Sequence, residues 1–424
     1  MSEYLSCSVV CALAVAGTAL ATDVAPALTG TTDRDPTSYH AGDEMTFRLV
    51  ANGGGKTVRW TRTGDDGRTE KGEAKADAPV VVKTSLDRPG FVRLVAELFD
   101  EAGKAVARFD GGAGAEVGAI LPDNPEPKDF DTFWARHKAA LAKVPMDGAI
   151  CREVPSGRSD MKLFEVSVPC AGPRPSTGFL SVPAKPGKFP ARVHFHGYNA
   201  SWRPAARNTP KPTSLSSDAI VLSLSAHGYE FNRDEAYYKG LRAACGSNGY
   251  DYAFDPAQNA DPERAYFCGM TYRVMRGLEY LKSRPEWDGK TLIAEGGSQG
   301  GLQSIWAAAL DHDVTECRPF VPWNCNMGGP AAGRAHGDWH IPWVPALGYY
   351  DAANMASRIP ATCRTTVTWA GLGDYICPPS GVMAFYNRLT CPKSITFIQG
   401  ATHFSRPPTS EAAFGSVTLM HNDK

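Results

Sequence analysis

Short runs of alternating apolar and polar residues, separated by turns rich in Gly and Asp, occupy the first quarter of the chain. In residues 45–51 (MTFRLVA) and 91–98 (FVRLVAEL), every second residue is apolar, so the apolar side chains share one face. Residues 56–63 and 78–86 are further candidate strands. This period of two is typical of a half-buried strand. We therefore predict a β-sandwich of immunoglobulin-like size over residues 23–117, and no residue in it is a catalytic candidate.

A proline-rich segment follows at residues 120–131 (ILPDNPEPKDFD), where the prolines favour an extended backbone. Residues 130–144 then have apolar positions at helical spacing, and Asp129 is the predicted N-cap of that helix. We place a domain boundary between residues 117 and 118.

Beyond this boundary, predicted strands alternate with predicted helices, which is typical of a mostly parallel sheet covered by helices. The predicted strands are residues 161–168, 177–183, 191–197, 219–226, 291–297, 365–372 and 394–400, and the predicted helices are residues 264–284, 302–311 and 380–389. We expect the first two strands to pair antiparallel at an edge of the sheet. The pattern predicts one large α/β domain over residues 118–424.

An apolar run at residues 5–21 ends in Ala-Leu-Ala before polar residues. It has the form of a secretory signal peptide with its cleavage site, and it is shorter than the roughly 20 residues of a membrane-spanning helix. We therefore expect residues 1–21 to be a signal peptide and the protein to be secreted or periplasmic, with no stable membrane span. The first residues, MSEY, carry no Lys or Arg, so an unprocessed or misassigned start is the alternative.

Composition narrows the function classes. Hydrophobic residues make up 43% of the chain, which excludes general disorder. The 44 basic and 45 acidic residues nearly cancel, so the net charge gives no reason to expect a nucleic-acid partner. Cleavage of the signal would remove two of the 11 cysteines and leave nine, an odd number, so at least one thiol stays free. None has the spacing of zinc ligands, and we predict no metal site. Buried free thiols and several disulfides both remain open.

The strand at 291–297 runs directly into the sequence GGSQGG (296–301) and then into a helical pattern. A G-x-S-x-G turn between a strand and a helix is the nucleophile elbow of α/β-hydrolases, in which small flanking residues lift the serine hydroxyl above the sheet. Ser298 is therefore the candidate nucleophile, and a simple helix N-cap is the alternative role.

A serine nucleophile needs a histidine base and an acid that orients the histidine, in the chain order serine, acid, histidine. Asp374 and His403 each follow a predicted strand end, where catalytic residues of such sheets project. We predict the triad Ser298, Asp374 and His403. The competing downstream residues are His312, His336, Asp338, His340 and His421.

Acyl transfer also needs two N–H donors directed at the developing oxyanion. The residue after the nucleophile, Gln299, supplies one, and Tyr198, after the strand at 191–197, is our candidate for the other. His194 and His196 on that strand are more typical of structural roles.

Four tryptophans lie in predicted loops, where flat rings can stack on the apolar faces of sugars. They are Trp202, Trp323, Trp339 and Trp343. As a group they weakly favour a carbohydrate substrate, although core packing is the ordinary role of any single one.

Residues 122–403 resemble the acetyl xylan esterase/cephalosporin C deacetylase family of carbohydrate esterases. The resemblance rests on DFDTFW (129–134), HFHGYN (194–199), GGSQGG (296–301), GLGDYICPP (371–379), AFYNRL (384–389) and His403. It implies an α/β-hydrolase fold, the triad and oxyanion donors named above, removal of acetyl groups from xylan or xylo-oligosaccharides, and no metal or other cofactor. It also implies an acetylated carbohydrate as partner and a possible homo-oligomer.

Three features differ from the family pattern. His227-Gly228-Tyr229 stands where the family usually has Arg-Gly-Gln, Phe404 stands where Glu usually follows the histidine, and residues 23–117 are an addition. The alternative functions are another serine hydrolase, such as a prolyl-type peptidase or a small-molecule acetyl esterase, and a non-catalytic secreted carbohydrate-binding protein.

Overall fold

The computed structural model describes residues 25–199, 202–407 and 417–421. The predicted signal peptide at residues 1–21 lies outside these residues. Within them, no helix is both long and apolar enough to cross a membrane.

Before residue 116, the described chain forms two antiparallel sheets with the strand orders β1-β2-β5 and β4-β3-β6-β7. The strands are β1 (Ala27–Thr32), β2 (Glu44–Asn52), β3 (Thr57–Gly64), β4 (Glu70–Lys75), β5 (Val80–Ser85), β6 (Gly90–Phe99) and β7 (Ala105–Ala115). Their inward-facing side chains share one apolar core, in which Phe47 and Leu94 are fully buried.

The four strands predicted in this region are confirmed as β2, β3, β5 and β6. Strands β1, β4 and β7 were not predicted, because apolar and polar residues alternate only weakly in them. Strand β4 reads EKGEAK and lies at a sheet edge, while the second half of β7 reads DGGAGA. The assignment to the immunoglobulin-like class stays a prediction.

After residue 149, ten strands of the described chain form one mixed sheet in the order β17-β16-β15-β14-β13-β11-β12-β10-β9-β8. They are β8 (Ile150–Val154), β9 (Met161–Val168), β10 (Ser176–Pro183), β11 (Phe189–Phe195), β12 (Ile220–Leu224), β13 (Trp287–Gly297), β14 (Glu316–Phe320), β15 (Arg364–Gly371), β16 (Lys393–Ile398) and β17 (Val417–His421). The pairings from β12 through β11 and β13 to β16 are parallel, so the α/β prediction is confirmed.

The antiparallel pairing of β9 with β10 is confirmed, but their predicted position at the edge is wrong. Strand β8 pairs with β9 and forms the edge, while β10 is buried along its whole length. Strand β8 was not predicted because its sequence, ICREV, is largely exposed and lacks an apolar face.

The helices are α1 (Phe130–Ala142), α2 (Pro204–Arg207), α3 (Glu235–Cys245), α4 (Pro256–Asn259), α5 (Tyr266–Lys282), α6 (Gln299–Leu310), α7 (Ala352–Met355) and α8 (Pro379–Arg388). Helix α6 begins three residues earlier than predicted, because the glycines after Ser298 are already helical. Asp129 is the N-cap residue of α1 as predicted, but its side chain accepts no hydrogen bond from a helix N–H and instead accepts one from the Tyr349 hydroxyl.

The two-sheet region and the α/β region are in direct contact. Phe91 of β6 is 1% exposed and belongs to the apolar core of the α/β region, where its ring centroid lies 5.7 Å from that of Phe397. Asn387 of α8 donates hydrogen bonds of 2.8 Å to the carbonyls of both Val117 and Ile120. The predicted boundary after residue 117 therefore falls within a packed segment of the chain.

We expect Phe91→Ala to lower the free energy of unfolding by about 3–5 kcal/mol, because it opens a cavity in the α/β core. Val81→Ala, at a position that is 52% exposed on β5, should change it by no more than about 0.5 kcal/mol. Urea unfolding followed by tryptophan fluorescence measures both. Equal midpoints for Phe91→Ala and the parent chain would contradict the contribution of Phe91 to the larger core.

Candidate active site

Ser298 occupies the tight turn between β13 and α6. Its backbone has φ 56° and ψ −120°, a conformation that is strained for a residue with a Cβ. Its N–H donates to Phe320 O at 3.0 Å, and its carbonyl accepts from Leu302 N and Trp323 N, each at 3.1 Å. The side chain makes no capping hydrogen bond, in contrast to the alternative role of Ser298 as a simple N-cap.

The glycines around Ser298 are required by close backbone contacts. A Cβ at Gly296 would lie 2.6 Å from Phe195 O, and one at Gly300 would lie 2.2 Å from the same atom. A Cβ at Gly297 would lie 2.0 Å from the Phe320 ring. The motif GGSQGG thus packs the start of α6 directly against the end of β11.

Asp374 and His403 lie in the loops after β15 and β16 and contact each other. His403 Nδ1 lies 2.9 Å from Asp374 Oδ2. The other carboxylate oxygen accepts hydrogen bonds from Ile376 N at 3.0 Å and Cys377 N at 2.9 Å. Asp374 is 1% exposed, so these contacts hold its carboxylate in one orientation and leave His403 Nε2 available to a hydroxyl group.

One cavity brings Ser298 and His403 together. Its volume is about 520 Å³, and it is partly open to solvent. Besides these two residues, its lining includes His194, His196, Tyr198, Arg203, Phe320, Trp339, Trp369, Ile376 and Phe404.

The competing histidines lie elsewhere. His336 and His340 pack on each other with ring centroids 4.2 Å apart and contact Gly337 O, and neither lines this cavity. His312 and Asp338 are also absent from the lining. His421 ends β17, and its side chain lies outside the described residues.

His196 also lines the cavity, but its environment does not suit a base. Burial lowers the pKa of His196 to about 4, and its Nε2 lies 3.2 Å from Ser223 Oγ. The ring therefore stays neutral and engaged in the sheet, as its predicted structural role requires.

Tyr252 joins the two segments that carry the predicted oxyanion donors. Its hydroxyl accepts a hydrogen bond from Asn199 N at 3.1 Å and donates to Gln299 Oε1 at 2.9 Å. The Tyr198 ring stacks on Tyr252 with centroids 4.2 Å apart, and the Tyr198 hydroxyl donates to Tyr252 O at 2.9 Å. Burial raises the pKa of Tyr252 well above its ordinary value, so the hydroxyl keeps its proton. No sequence pattern marks this residue, since it lies in an irregular loop.

The Gln299 amide is free for a ligand on geometric grounds, because the first N–H groups of a helix have no acceptor within the helix. Tyr198 lines the cavity beside Ser298 and follows the end of β11. The structure therefore places both predicted donor residues beside Ser298.

The four predicted substrate-binding tryptophans occupy different positions. Trp339 lines the cavity, and Trp323 packs behind it at 5.0 Å between centroids and is only 1% exposed. Trp202 stacks on His227, and Trp343 packs against the main core. Only Trp339 among the four lines the cavity that holds Ser298.

His227 is fully buried beneath Tyr252. Its ring centroid lies 4.6 Å from that of Tyr252 and 4.3 Å from that of Trp202, and its Nδ1 lies 2.8 Å from the Tyr266 hydroxyl. Burial lowers the pKa of His227 well below its ordinary value. A neutral ring cluster therefore supports Tyr252.

Among the described residues, two groups of three side chains have metal-ligating atoms within 4.8 Å of one another. The first is Asp374, Cys377 and His403; its carboxylate and imidazole already form a hydrogen bond, and burial raises the pKa of Cys377 well above its ordinary value. Burial therefore favours the protonated thiol over the thiolate.

In the second group, Glu263 lies 3.1 Å from His137 Nε2, while Cys268 lies 3.9 Å from His137 Nδ1. Glu263 and Cys268 therefore lie nearest to different nitrogens of the His137 ring. All nine cysteines after residue 150 are free thiols, and seven of them are buried.

A second cavity of about 660 Å³ shares His194 and His196 with the first. It continues across the face of the sheet opposite α6, where Arg192, Ser223 and Glu295 line it. The Arg192 and Glu295 side chains are 3.7 Å apart, and Arg192 Nε is buried without a hydrogen-bond partner.

The family model described as acetyl xylan esterase (AXE1) matches residues 115–328 and 341–414. The chain belongs to the acetyl xylan esterase family. The matched residues include Ser298, Asp374 and His403. The unmatched segment between the two matched ranges, residues 329–340, contains Trp339 and the competing residues His336, Asp338 and His340.

Individual relatives agree with this membership. The acetyl esterase Axe7A of Xylanibacter ruminicola is 26% identical over 344 residues, which are 78% of this chain and 74% of the relative. The acetyl xylan esterase from Paenibacillus sp. R4 has a TM-score of 0.56 and 26% identity, over 70% of this chain and 96% of that chain. Acetyl xylan esterase 1 from Thermoanaerobacterium sp. JW/SL YS485 shares the fold with a TM-score of 0.58 at 21% identity, over 70% of this chain and 95% of that chain.

The strain at Ser298 leads to a stability prediction. We expect Ser298→Gly to be more stable than Ser298→Ala by about 1–2 kcal/mol, because glycine adopts a positive φ without steric cost. Thermal unfolding of the two variants side by side provides the measurement, and neither carries the hydroxyl. Equal midpoints would show that the turn relaxes to an ordinary conformation when the serine is absent.

Proposed function

We propose that this chain is a serine esterase that removes acetyl groups from plant polysaccharide or oligosaccharide through an acyl-enzyme intermediate. The observation that carries the proposal is the hydrogen bond between Asp374 and His403 at the cavity that exposes Ser298. Membership in the acetyl xylan esterase family supports the ester class.

In the proposed cycle, His403 Nε2 takes the proton of Ser298 Oγ as that oxygen attacks the acetyl carbonyl. The Asp374 carboxylate stabilises the imidazolium that forms and holds the ring in the required tautomer. His403 then gives its proton to the departing sugar hydroxyl. Water, activated by the same histidine, releases acetate and restores Ser298.

The N–H groups of Tyr198 and Gln299 are the proposed oxyanion donors. Such donors lower the barrier because they are already oriented before negative charge develops on the carbonyl oxygen. Tyr252 supports this role, since its hydroxyl is hydrogen-bonded to both segments.

The acetyl specificity rests on the relatives, whose names are acetyl esterase Axe7A and acetyl xylan esterase. The second cavity, which shares His194 and His196 with the first, supports a substrate larger than one acetylated sugar. Export by the signal at residues 1–21 is part of the proposal, because a polymeric substrate lies outside the cell.

The test compares acetate release from acetylated xylan and acetylated xylo-oligosaccharides with ferulate release from a feruloyl sugar ester and amine release from a peptide amide. We expect turnover of the acetylated carbohydrates, and we expect Ser298→Ala to lower it by roughly 10⁴- to 10⁶-fold with an unchanged fold. Faster cleavage of the feruloyl ester or the peptide would overturn the substrate class. Near-normal activity of Ser298→Ala would overturn the nucleophile.

Tyr252→Phe tests the oxyanion arrangement. We expect kcat to fall by roughly 10- to 100-fold with KM nearly unchanged, because only the alignment of the donors is lost. Binding of a boronic acid transition-state analogue should weaken by a similar factor. The matched control is Tyr238→Phe, which removes the hydroxyl group of another buried tyrosine, one that accepts from Arg233 N and donates to Glu230 O rather than bonding to either donor segment. Equal losses in both variants would assign the effect to general packing.

A further inference from the structure

Strand β7 of the two-sheet region runs along the loops that carry Asp374 and His403. A Cβ at Gly373 would lie 2.1 Å from Asp110 O, and a Cβ at Gly112 would lie 3.0 Å from Leu372 O. The backbone of the two-sheet region is therefore in direct contact with the residues immediately before Asp374.

The loop that carries His403 contacts the same strand through Gln399. The Gln399 side chain donates to Gly112 O at 2.8 Å and accepts from Gly112 N at 2.9 Å. Gln399 is 4% exposed, and a Cβ at Gly111 would lie 2.2 Å from its Oε1. Glycine at these positions of β7 lets the carboxamide pair with the backbone as a neighbouring strand would.

A third contact follows Asp374. The guanidinium of Arg93 in β6 lies 4.5 Å from the ring centroid of Tyr375, and two hydrogen bonds of 2.8 and 2.6 Å to Asp110 hold it in place. The two loops are also joined to each other, since Gly373 N donates to Ala401 O at 3.0 Å. Strand β7 and Arg93 thus touch both loops on the side away from the cavity.

We propose that the two-sheet region is a positioning element of the active site, with Gln399 and Arg93 as its positioning residues. It fixes the positions of the Asp374 and His403 loops relative to each other, so that the acid and the histidine lie beside Ser298. The inference rests on the proposed function, because it assumes that these residues form a triad. The contacts on β7 are made by residues before position 115, where the family match begins, so this support is separate from the matched region.

Two variants in the full chain test the proposal, Gln399→Met and Asn387→Leu. Each removes a carboxamide that makes two hydrogen bonds of similar length, but Asn387 lies on α8 and bonds to Val117 and Ile120 in the segment after β7, whereas Gln399 joins a triad loop to β7 itself. We expect both to lower the unfolding temperature. Only Gln399→Met should lower kcat, by roughly 10- to 100-fold, with KM changed less than about twofold.

The rate of fluorophosphonate labelling of Ser298 provides a second readout that depends on nucleophile activation rather than on substrate binding. We expect it to fall with kcat in Gln399→Met and to stay near the parent value in Asn387→Leu. Should Gln399→Met fail to fold, Arg93→Lys keeps the charge beside Asp110 while losing the planar contact with Tyr375, and we expect the same pattern.

Parent-like labelling of folded Gln399→Met or Arg93→Lys would overturn the positioning role. An equal loss of kcat in Asn387→Leu would also overturn it, because it would assign the effect to stability alone. Failure of the proposed function is a different result: the parent chain itself would not be labelled at Ser298.

Discussion

The strained turn at Ser298 is the constraint on which the rest of the site depends. Its positive φ directs the serine into the cavity and brings α6 so close to β11 that Gly296 and Gly300 leave no room for a Cβ beside Phe195 O. The same close approach places the first N–H of α6 beside the end of β11, where Tyr198 lies. Nucleophile and proposed oxyanion donors are therefore products of one packing arrangement.

Burial then decides which groups near the nucleophile can carry charge. It lowers the pKa of His196 and His227 and raises the pKa of Tyr252 and Cys377, so these groups stay neutral. Asp374 is also buried, but its carboxylate accepts three hydrogen bonds, one of them from the His403 ring. Hydrogen bonding to a buried carboxylate offsets the cost of its desolvation, and this stabilises the acid–histidine pair.

The two-sheet region changes how such a pair is supported. Loops at strand ends are usually the more mobile parts of a fold, yet here the Asp374 and His403 loops lie against the backbone of β7. The glycines of β7 and Gly373 permit that contact, and Gln399 completes its hydrogen bonds. The two-sheet region thus contacts the α/β region directly beside the loops that carry Asp374 and His403.

The order of chemistry-bearing residues was readable from the sequence, because Ser298, Asp374 and His403 each follow an apolar strand pattern and stand in short motifs. The periodicity also predicted most strands of both regions, but it missed β1, β14 and β17 as well as β4, β7 and β8. The polar or small residues of the last three lack a continuous apolar face. Tyr252, Gln399 and Arg93 carried no local signal, and three of the four loop tryptophans do not line the cavity. Their positions depend on contacts between segments that are distant in sequence, such as Gly112 with Gln399, and only the packed tertiary structure brings those segments together.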